Sequence, residues 1–256
     1  MNAPLGAGRL LLVPAPLDFG CAEPVALDAV LPAATIRAAA GLQHWICENA
    51  KTARAYLKRV DAVVPLAQPL QQLHLQELPR DVHKKGDHLG DFDARSLLAP
   101  ALAGHDIGLV SEAGMPAIAD PGASVVRAAH VLGLAVVPLV GPVSLMLLLA
   151  ASGLNGQNFA FVGYLPQEPA ARARRIRELE HIAVTSGQTQ LFIETPYRNG
   201  AMLHSLLHTL APTTRLAIGS ALTLPQARVQ CHAAGQWRGA GAFADKHTPA
   251  VFAIGR

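Results

Sequence analysis

The sequence is poor in two kinds of residue on which many proteins depend. Only 5% of its 256 residues are aromatic and 15% are charged, whereas 51% are hydrophobic. This composition excludes a disordered chain, because enough apolar surface can be buried to offset the entropy cost of folding. The core is therefore expected to consist of Ala, Leu and Val rather than aromatic rings.

Cysteine is also scarce. Cys21, Cys47 and Cys231 are far apart and form no CxxC pair, which argues against a disulfide framework or a zinc site and fits a reducing compartment. The N-terminus shows no signal-peptide pattern, and the apolar run Leu145 to Ala151 is too short to cross a bilayer. We expect a cytoplasmic protein that binds no metal.

Charge of one sign is nearly balanced by the other. The formal net charge is +3 and the calculated pI is about 8.9, a balance that is compatible with a nucleic-acid partner without indicating one.

Strand-like and helix-like segments alternate along the chain. Buried strands are predicted at Arg9–Pro16, Gly41–Asn49 and Asp106–Ser111, and helices at Ala50–Val60 and Gly122–Gly133. Such alternation favours crossover connections and a mostly parallel sheet. The predicted fold class is α/β, with two α/β domains whose sheets are mostly parallel or mixed.

A second pattern of strands and helices follows Leu154, so we place the domain boundary between residues 141 and 142. The N-terminal domain then spans 1–141 and the C-terminal domain 142–256. The segment Pro142–Leu154 predicts a helix with Pro at its first position. The polar segment Arg80–Asp93 predicts a flexible loop, or alternatively a flap over a substrate.

Five predicted strands end in loops of small residues and proline. Gly and Pro end strands in any protein, but five such loops on the same side of the strands favour a ligand pocket. No loop matches GxGxxG or GxxxxGK[ST], so a standard dinucleotide or P-loop site is not supported. The loops are PAPLDFG, SEAGMPAIADPG, GPVS, GYLP and ETPYR.

With their flanking strands, these motifs (LLVPAPLD, LVSEAGMPAIADPG, VVPLVGPVSLMLLLAASGL, FAFVGYLP and LFIETPYR) resemble the tetrapyrrole methylase superfamily. The branch they are most similar to contains the small-subunit ribosomal RNA cytidine 2'-O-ribose methyltransferases. The resemblance implies a methyltransferase that binds S-adenosylmethionine between two α/β domains and releases S-adenosylhomocysteine. It also implies a homodimer, with ribosomal RNA or the small ribosomal subunit as a possible partner.

The resemblance assigns cofactor-binding roles residue by residue. Glu112 stands where the family commonly has Asp, which keeps the carboxylate but lengthens its reach. The implied cofactor-binding residues are Pro14, Ser111, Glu112, Ala113, Gly114, Pro142, Ser144, Phe161, Val162, Gly163, Tyr164, Leu165, Glu194 and Pro196. The candidate catalytic residues on the acceptor side are Glu48, Asn49 and Arg198.

The sequence departs from the family at the stretch that aligns with its Glu–Asp–Thr–Arg motif. Glu48 is retained, but Asn49, Ala50 and Lys51 replace the other three residues. A ribose hydroxyl is a poor nucleophile that benefits from a general base, and an amide cannot be that base. Either Glu48 takes the role, the substrate differs, or nothing is transferred. Asn49 could equally cap the helix that follows.

Two further clusters allow alternative interpretations. Arg172, Arg174, Arg175 and Arg177 lie on one predicted helix and could contact RNA phosphates or form a solvated face. His204 and His208 have a metal-ligand spacing, but without an evident third ligand we expect surface or core histidines. Three functions remain open: an RNA methyltransferase, a methyltransferase for a small molecule such as a tetrapyrrole, and a non-catalytic homologue that binds S-adenosylmethionine.

Overall fold

The structure is a computed structural model that describes residues 6–18, 21, 23–85, 87, 92–237 and 247–256. Contacts divide the chain into two compact units. The first comprises the described residues of Met1–Phe19 and Val25–Pro142, and the second those of Gly20–Pro24 and Val143–Arg256. Among the described residues, no helix combines the length and the apolar character needed to cross a membrane.

The first unit is built on a five-stranded sheet in which every pairing is parallel, with the strand order β3-β2-β4-β1-β5. Its strands are β1 (Leu10–Leu12), β2 (His44–Cys47), β3 (His74–Glu77), β4 (Ile107–Val110) and β5 (Val136–Pro138). Its helices are α1 (Leu27–Val30), α2 (Ala33–Gly41), α3 (Ala50–Asp61), α4 (Arg80–Lys85), α5 (Ala99–Leu102) and α6 (Ala123–Val131). Short 3₁₀ turns occupy Leu70–Gln72 and Arg95–Leu98.

The central strand β4 is buried along its whole length, as expected for a parallel sheet covered on both faces. A Cβ on Gly108 would lie 2.6 Å from the Trp45 ring. Glycine is therefore required where the indole packs against β4. Trp45 is 1% exposed and donates its ring N–H to the Leu42 carbonyl, so it is a packing residue of the first unit.

Helix α3 follows β2 directly because Asn49 begins it. The Asn49 side chain accepts hydrogen bonds from the N–H groups of Lys51 and Thr52, which satisfies two of the donors that a helix start leaves free. Ala53, Leu57 and Val60 lie on the buried face of the helix, at the spacing of one helical stripe. The predicted helix Ala50–Val60 is confirmed.

The second unit contains a mixed five-stranded sheet with the order β6-β7-β10-β8-β9. Only the β6–β7 pairing is parallel. Its strands are β6 (Phe159–Tyr164), β7 (Thr189–Glu194), β8 (Arg215–Ser220), β9 (Arg228–Ala233) and β10 (Ala250–Gly255). Its helices are α7 (Ser144–Ser152), α8 (Pro169–Ser186) and α9 (Asn199–Thr209), with 3₁₀ turns at Pro196–Arg198 and Ala234–Gln236. The predicted α/β class is confirmed.

The start of the helix predicted at Pro142 was wrong. The helix begins at Ser144, and Val143 before it is extended, with φ −128° and ψ 109°. A Cβ on Gly141 would lie 2.3 Å from the Pro14 ring. The backbone therefore runs closely past Pro14 at this point and turns into the helix only after Pro142.

The segment Arg80–Asp93 is not simply a flexible loop. It begins with helix α4, and Asp87 is buried. The Asp87 carboxylate accepts hydrogen bonds from the Gly122 N–H and from both the N–H and the hydroxyl of Ser124. Residues 86 and 88–91, which include His88, lie outside the described part of the chain, as do the side chains of His83, Lys84 and Lys85.

Candidate functional site

The candidate site in the first unit lies where β2, β4 and β1 end. Cys47 pairs with Val110, and Leu12 pairs with Leu109. Because parallel neighbours end at the same edge of a sheet, Glu48 follows β2 beside Ser111, which follows β4. Pro14 follows the third of these strands. The structure thus brings together predicted residues that lie up to 100 positions apart in the sequence.

Two of the loops at this edge are joined by a short antiparallel bridge. Ala15 donates its N–H to the Gly114 carbonyl over 2.9 Å, and Gly114 donates to the Ala15 carbonyl over 3.0 Å. Gly114 has φ +72°, and a Cβ there would lie 3.2 Å from a Leu17 methyl group. Glycine is required here by both its conformation and the close packing. Its backbone N–H and carbonyl are both used in the bridge to Ala15, so Gly114 joins the two loops.

The rest of the Ser111–Gly122 loop is strained. Ala117 and Ala119 have φ values of 65° and 67°, a left-handed conformation that costs a non-glycine residue about 1 kcal/mol or more. The hydrogen bonds from Gly122 and Ser124 to Asp87 fix the end of the loop at the start of α6. The conformation of the loop therefore depends on Asp87, which lies in a different segment of the chain.

Three carboxyl groups meet at this edge, those of Glu48, Glu112 and Asp120. Burial, with the negative charges of Asp120 and Glu112, raises the pKa of Glu48 to about 8, against a hydrogen bond from the Glu112 backbone. Burial and the charge of Glu112 raise the pKa of Asp120 to about 7. Near neutral pH the cluster therefore holds protons that isolated carboxyl groups would have lost.

Asn49 serves the backbone and not the cluster. Its side-chain oxygen lies 2.8 Å from the Lys51 nitrogen and 3.4 Å from the Thr52 nitrogen. The Thr52 hydroxyl donates to the Asn49 carbonyl or to the Glu112 carboxylate, at 3.0 and 3.3 Å. The capping interpretation of Asn49 is confirmed, and Thr52 connects the start of α3 to Glu112.

Ser111 and Ala113 complete the loop after β4. The Ser111 side chain is 5% exposed, and within the described residues its hydroxyl has no hydrogen-bond partner. A buried hydroxyl without a partner costs free energy unless a ligand satisfies it. Ala113 is half-buried beside it.

The candidate residues of the second unit form a cluster at the end of β7. The Glu194 side chain is 1% exposed and lies 2.9 Å from the guanidinium of Arg198. The Glu194 carboxylate also accepts a hydrogen bond from the Thr195 N–H over 2.8 Å. Pro196 begins the turn that carries Arg198 back onto Glu194, so this turn holds a buried ion pair.

The stretch from Phe161 to Leu165 contains an irregularity in its strand pairing. Pairing with β7 is interrupted between Phe161 and Tyr164, where Gly163 has φ +74°. Tyr164 is consequently 58% exposed, whereas Leu165 is 3% exposed and packs in the core of the second unit. Phe161, Val162 and Gly163 are half-buried. Ser144 is half-buried at the start of α7, and Pro142 is buried.

The arginine cluster is not one solvated face. Arg172 is 7% exposed and donates hydrogen bonds to the Ser205 hydroxyl and the Gln167 carbonyl. Arg175 pairs with Glu178 over 3.0 Å. Both alternatives for Arg172 were wrong, because it packs between α8 and α9. Arg174 and Arg177 are exposed.

The two histidines of α9 contact each other. The Nε2 atoms of His204 and His208 are 2.9 Å apart, and both side chains are exposed. No group of three or more His, Cys, Asp or Glu side chains in the described part of the chain is arranged to hold a metal ion.

Sequence reasoning did not include Asp120, Thr52 or Asp87 in the site. Asp120 had a signal, since it is a second carboxylate among small residues in the SEAGMPAIADPG loop. The other two acquire their roles only through contacts with residues at least 35 positions away.

No family model matches the chain. Among curated proteins, it is 37% identical over 131 residues to ribosomal RNA small subunit methyltransferase I of Xylella fastidiosa, covering 51% of this chain and 46% of that protein. It is 35% identical over 137 residues to the protein of the same name from Vibrio cholerae, covering 54% and 46%. The chain thus spans about half the length of the curated relatives it matches.

Solved structures resemble the chain over nearly its whole length. The methyltransferase CobJ has a TM-score of 0.58 at 18% identity, covering 98% of this chain and 95% of that chain. Uroporphyrin-III C-methyltransferase from Thermus thermophilus, complexed with S-adenosylhomocysteine, has a TM-score of 0.54 at 19% identity, covering 97% and 98%. These likenesses confirm the predicted fold, and the curated relatives confirm the resemblance to the ribosomal RNA branch.

Proposed function

We propose that the chain is an S-adenosylmethionine-dependent methyltransferase that acts on a ribose hydroxyl of small-subunit ribosomal RNA. The observation that carries this proposal is the juxtaposition of Glu48 with the Ser111–Gly114 loop at one edge of the first sheet. A cofactor loop and a candidate base are adjacent there. The similarity to ribosomal RNA methyltransferases supports the choice of acceptor.

The residues after β4 suit the cofactor. The buried Ser111 hydroxyl offers a hydrogen bond that no described residue takes, and Gly114, with φ +72°, gives the loop beside it a turn that glycine adopts readily. When bound, S-adenosylmethionine supplies a methyl group on a positively charged sulfur, which a nearby oxygen can accept. A carboxylate-lined edge is compatible with that positive charge.

Glu48 is the candidate general base. Its raised pKa of about 8 means that it takes up a proton readily near neutral pH, as a base that activates a hydroxyl must. Asn49 fixes the start of α3 directly after Glu48, so we assign it a positioning role. This explains how the family's Asp can be absent without loss of the base.

Arg198 is proposed to act on the acceptor side. Its pairing with Glu194 fixes the guanidinium, and a fixed guanidinium is suited to a phosphate or a ribose oxygen. Because Glu194 is nearly fully buried, we infer that it orients Arg198 rather than contacting the cofactor itself.

The proposal is tested by calorimetric titration with S-adenosylmethionine and S-adenosylhomocysteine, using the wild type, Asn49→Asp and Ser111→Ala. We expect micromolar binding by the wild type and by Asn49→Asp, and about ten-fold weaker binding by Ser111→Ala because one hydrogen bond is lost. Absence of binding in all three proteins contradicts the cofactor assignment.

The acceptor is tested separately, by transfer of labelled methyl groups to small ribosomal subunits from a strain that lacks this gene. Label in ribose of the ribosomal RNA is expected. Cofactor binding without transfer to RNA would instead favour the small-molecule or the non-catalytic alternative.

We further propose that the chain forms a homodimer in the cytoplasm. Sedimentation equilibrium of the purified protein is expected to give twice the chain mass of 26.9 kDa. A monomer at micromolar concentration would refute the dimer and leave the cofactor assignment unaffected.

A further inference from the structure

Three histidines meet at the opposite edge of the first sheet, where its strands begin. His44 begins β2 and His74 begins β3, and their rings stack at 4.8 Å with planes 13° apart. His105 lies just before β4, with its ring 4.9 Å from that of His44. The central ring, that of His44, is half-buried, whereas His74 and His105 are exposed.

Two of these histidines, His44 and His105, border a cavity of about 480 Å³, which is within the range of small-ligand sites. Arg9, Arg37, Asp106 and two of the histidines, His44 and His105, supply its charged and titratable lining. The cavity is also lined by Gly41, Gln43 and Gly104. Cationic groups therefore outnumber the one carboxylate.

The carboxylate is already neutralised. Arg9 donates three side-chain hydrogen bonds and its backbone N–H to Asp106, with a shortest distance of 2.6 Å. Arg37 is exposed at the cavity wall, and among the described residues it makes no hydrogen bond or ion pair. The cavity thus has a fixed guanidinium, a guanidinium that is free to bind, and imidazoles that can gain charge.

The surroundings of His44 disfavour its charged form. Burial, together with the nearby His74 and His105, lowers the pKa of His44. An anion between the rings and the guanidinium groups would reverse that effect, because an opposite charge favours the protonated form. By linkage, the factor by which the bound anion favours protonation equals the factor by which protonation strengthens binding of the anion.

We propose that this cavity binds a phosphate group, held by Arg37 and by His44 and His105, with Arg9 as a pre-oriented donor. Guanidinium groups bind phosphate oxygens through paired hydrogen bonds. The phosphate could come from a small phosphorylated ligand or from an RNA backbone, and both offer the same chemistry. The site is about 13 Å from Glu48, at about 3.3 Å per residue of strand, and does not depend on methyl transfer.

Calorimetry with sulfate tests the site, since the charge of sulfate stays constant between pH 6 and 8. We expect wild-type affinity to be about five-fold tighter at pH 6. Arg37→Gln should weaken binding at least ten-fold at both values, and the double variant His44→Gln/His105→Gln should remove the pH dependence. The control Arg228→Gln removes an exposed charge of the second unit and should change nothing.

Inorganic phosphate and a single-stranded RNA dodecamer then identify the source. Competition of the RNA with sulfate, lost in Arg37→Gln, assigns the site to RNA. Binding of phosphate without competition by RNA assigns it to a small ligand. Absence of sulfate binding at pH 6, or equal weakening by Arg37→Gln and Arg228→Gln, overturns the proposal. Circular dichroism of each variant checks that it is folded.

Discussion

The two edges of the first sheet carry opposite chemistry. At the edge where the strands end, Glu48, Glu112 and Asp120 lie together. At the edge where they begin, His44 lies between two other histidines in a wall that also carries arginines. At both edges, burial and like charges shift pKa values towards the neutral form, upward for the acids and downward for His44.

The difference follows from parallel pairing. His44 and Glu48 are four residues apart on one strand and its extension, but each lies beside the corresponding positions of neighbouring strands. Parallel pairing therefore places the charged or titratable residues at corresponding strand ends side by side, so several of them gather at each edge. One edge gathers carboxyl groups, and the other gathers guanidinium groups and imidazoles.

The largest expected effect comes from removing the proposed base, Glu48, at the acidic edge. Glu48→Gln should lower the methyl-transfer rate at least about 100-fold and leave affinity for S-adenosylmethionine within about two-fold. In the wild type, the rate should rise with pH through about 8 as Glu48 loses its proton. Asp28→Asn, at an exposed carboxylate, is the control. Unchanged turnover in Glu48→Gln would remove Glu48 from the mechanism.

A substitution at Gly8 tests the backbone packing at the basic edge. A Cβ on Gly8 would lie 2.1 Å from the His105 carbonyl oxygen, so Gly8→Ala must displace the backbone beneath the cavity. We expect a loss of about 3 kcal/mol in the free energy of unfolding, measured with urea. Gly41→Ala has no atom in its way and ends a helix, so it should be neutral or stabilising by up to about 1 kcal/mol. Equal losses in both variants would contradict the close approach.

The dependence of stability on pH should separate the two edges. Folded Glu48 and Asp120 have raised pKa values of about 8 and 7, so the folded state binds more protons than the unfolded state above about pH 4. Stability from these groups is complete below about pH 4, falls progressively above it, and is fully lost once pH has risen through 7 and 8. Folded His44 has a lowered pKa, so its contribution is complete above 6.5 and is lost as pH falls.

Urea unfolding at pH 5.5, 7 and 9 measures both contributions. The double variant Glu48→Gln/Asp120→Asn should reduce the fall in stability from pH 5.5 to pH 9, because the carboxyl contribution changes over this whole range. His44→Gln should change the stability at pH 5.5 relative to pH 7 and leave the difference between pH 7 and pH 9 as in the wild type. A changed difference between pH 7 and pH 9 in His44→Gln would show that the two edges are not independent.

The smallest effect concerns the helix cap beside Glu48. Asn49→Ala should lower the free energy of unfolding by about 1 kcal/mol, because two backbone donors lose their acceptor. Asn49→Asp keeps an acceptor and should stay within about 0.5 kcal/mol of the wild type. Thermal unfolding at pH 7 distinguishes the two. A stability loss as large in Asn49→Asp as in Asn49→Ala would show that the cost of adding a carboxylate beside the acidic cluster cancels the benefit of the cap.

Local patterns predicted much of the fold. The apolar segments became β1, β2 and β4, and the spacing of Ala50–Val60 became α3 with Asn49 as its cap. Helix α2 was not predicted, because its run of alanines lacks a marked amphipathic stripe and it begins without a side-chain cap. The helix predicted from Pro142 began late because its start depends on the packing of Gly141 against Pro14, a contact between distant residues.

The sequence by itself determined the α/β class, the segments that became β1, β2, β4, α3 and α6, and the loops that resemble those of a known family. Each depends on residues close together in the chain, where hydrophobic period, caps and turn residues act directly. Only the tertiary structure decided which charges meet. It buried Arg172, placed Asp120 beside Glu112, and gathered His44, His74 and His105. The pKa shifts of Asp120 and His44, and the contacts of all these residues, arise from burial and from neighbours across strands, so they are not encoded within a local segment.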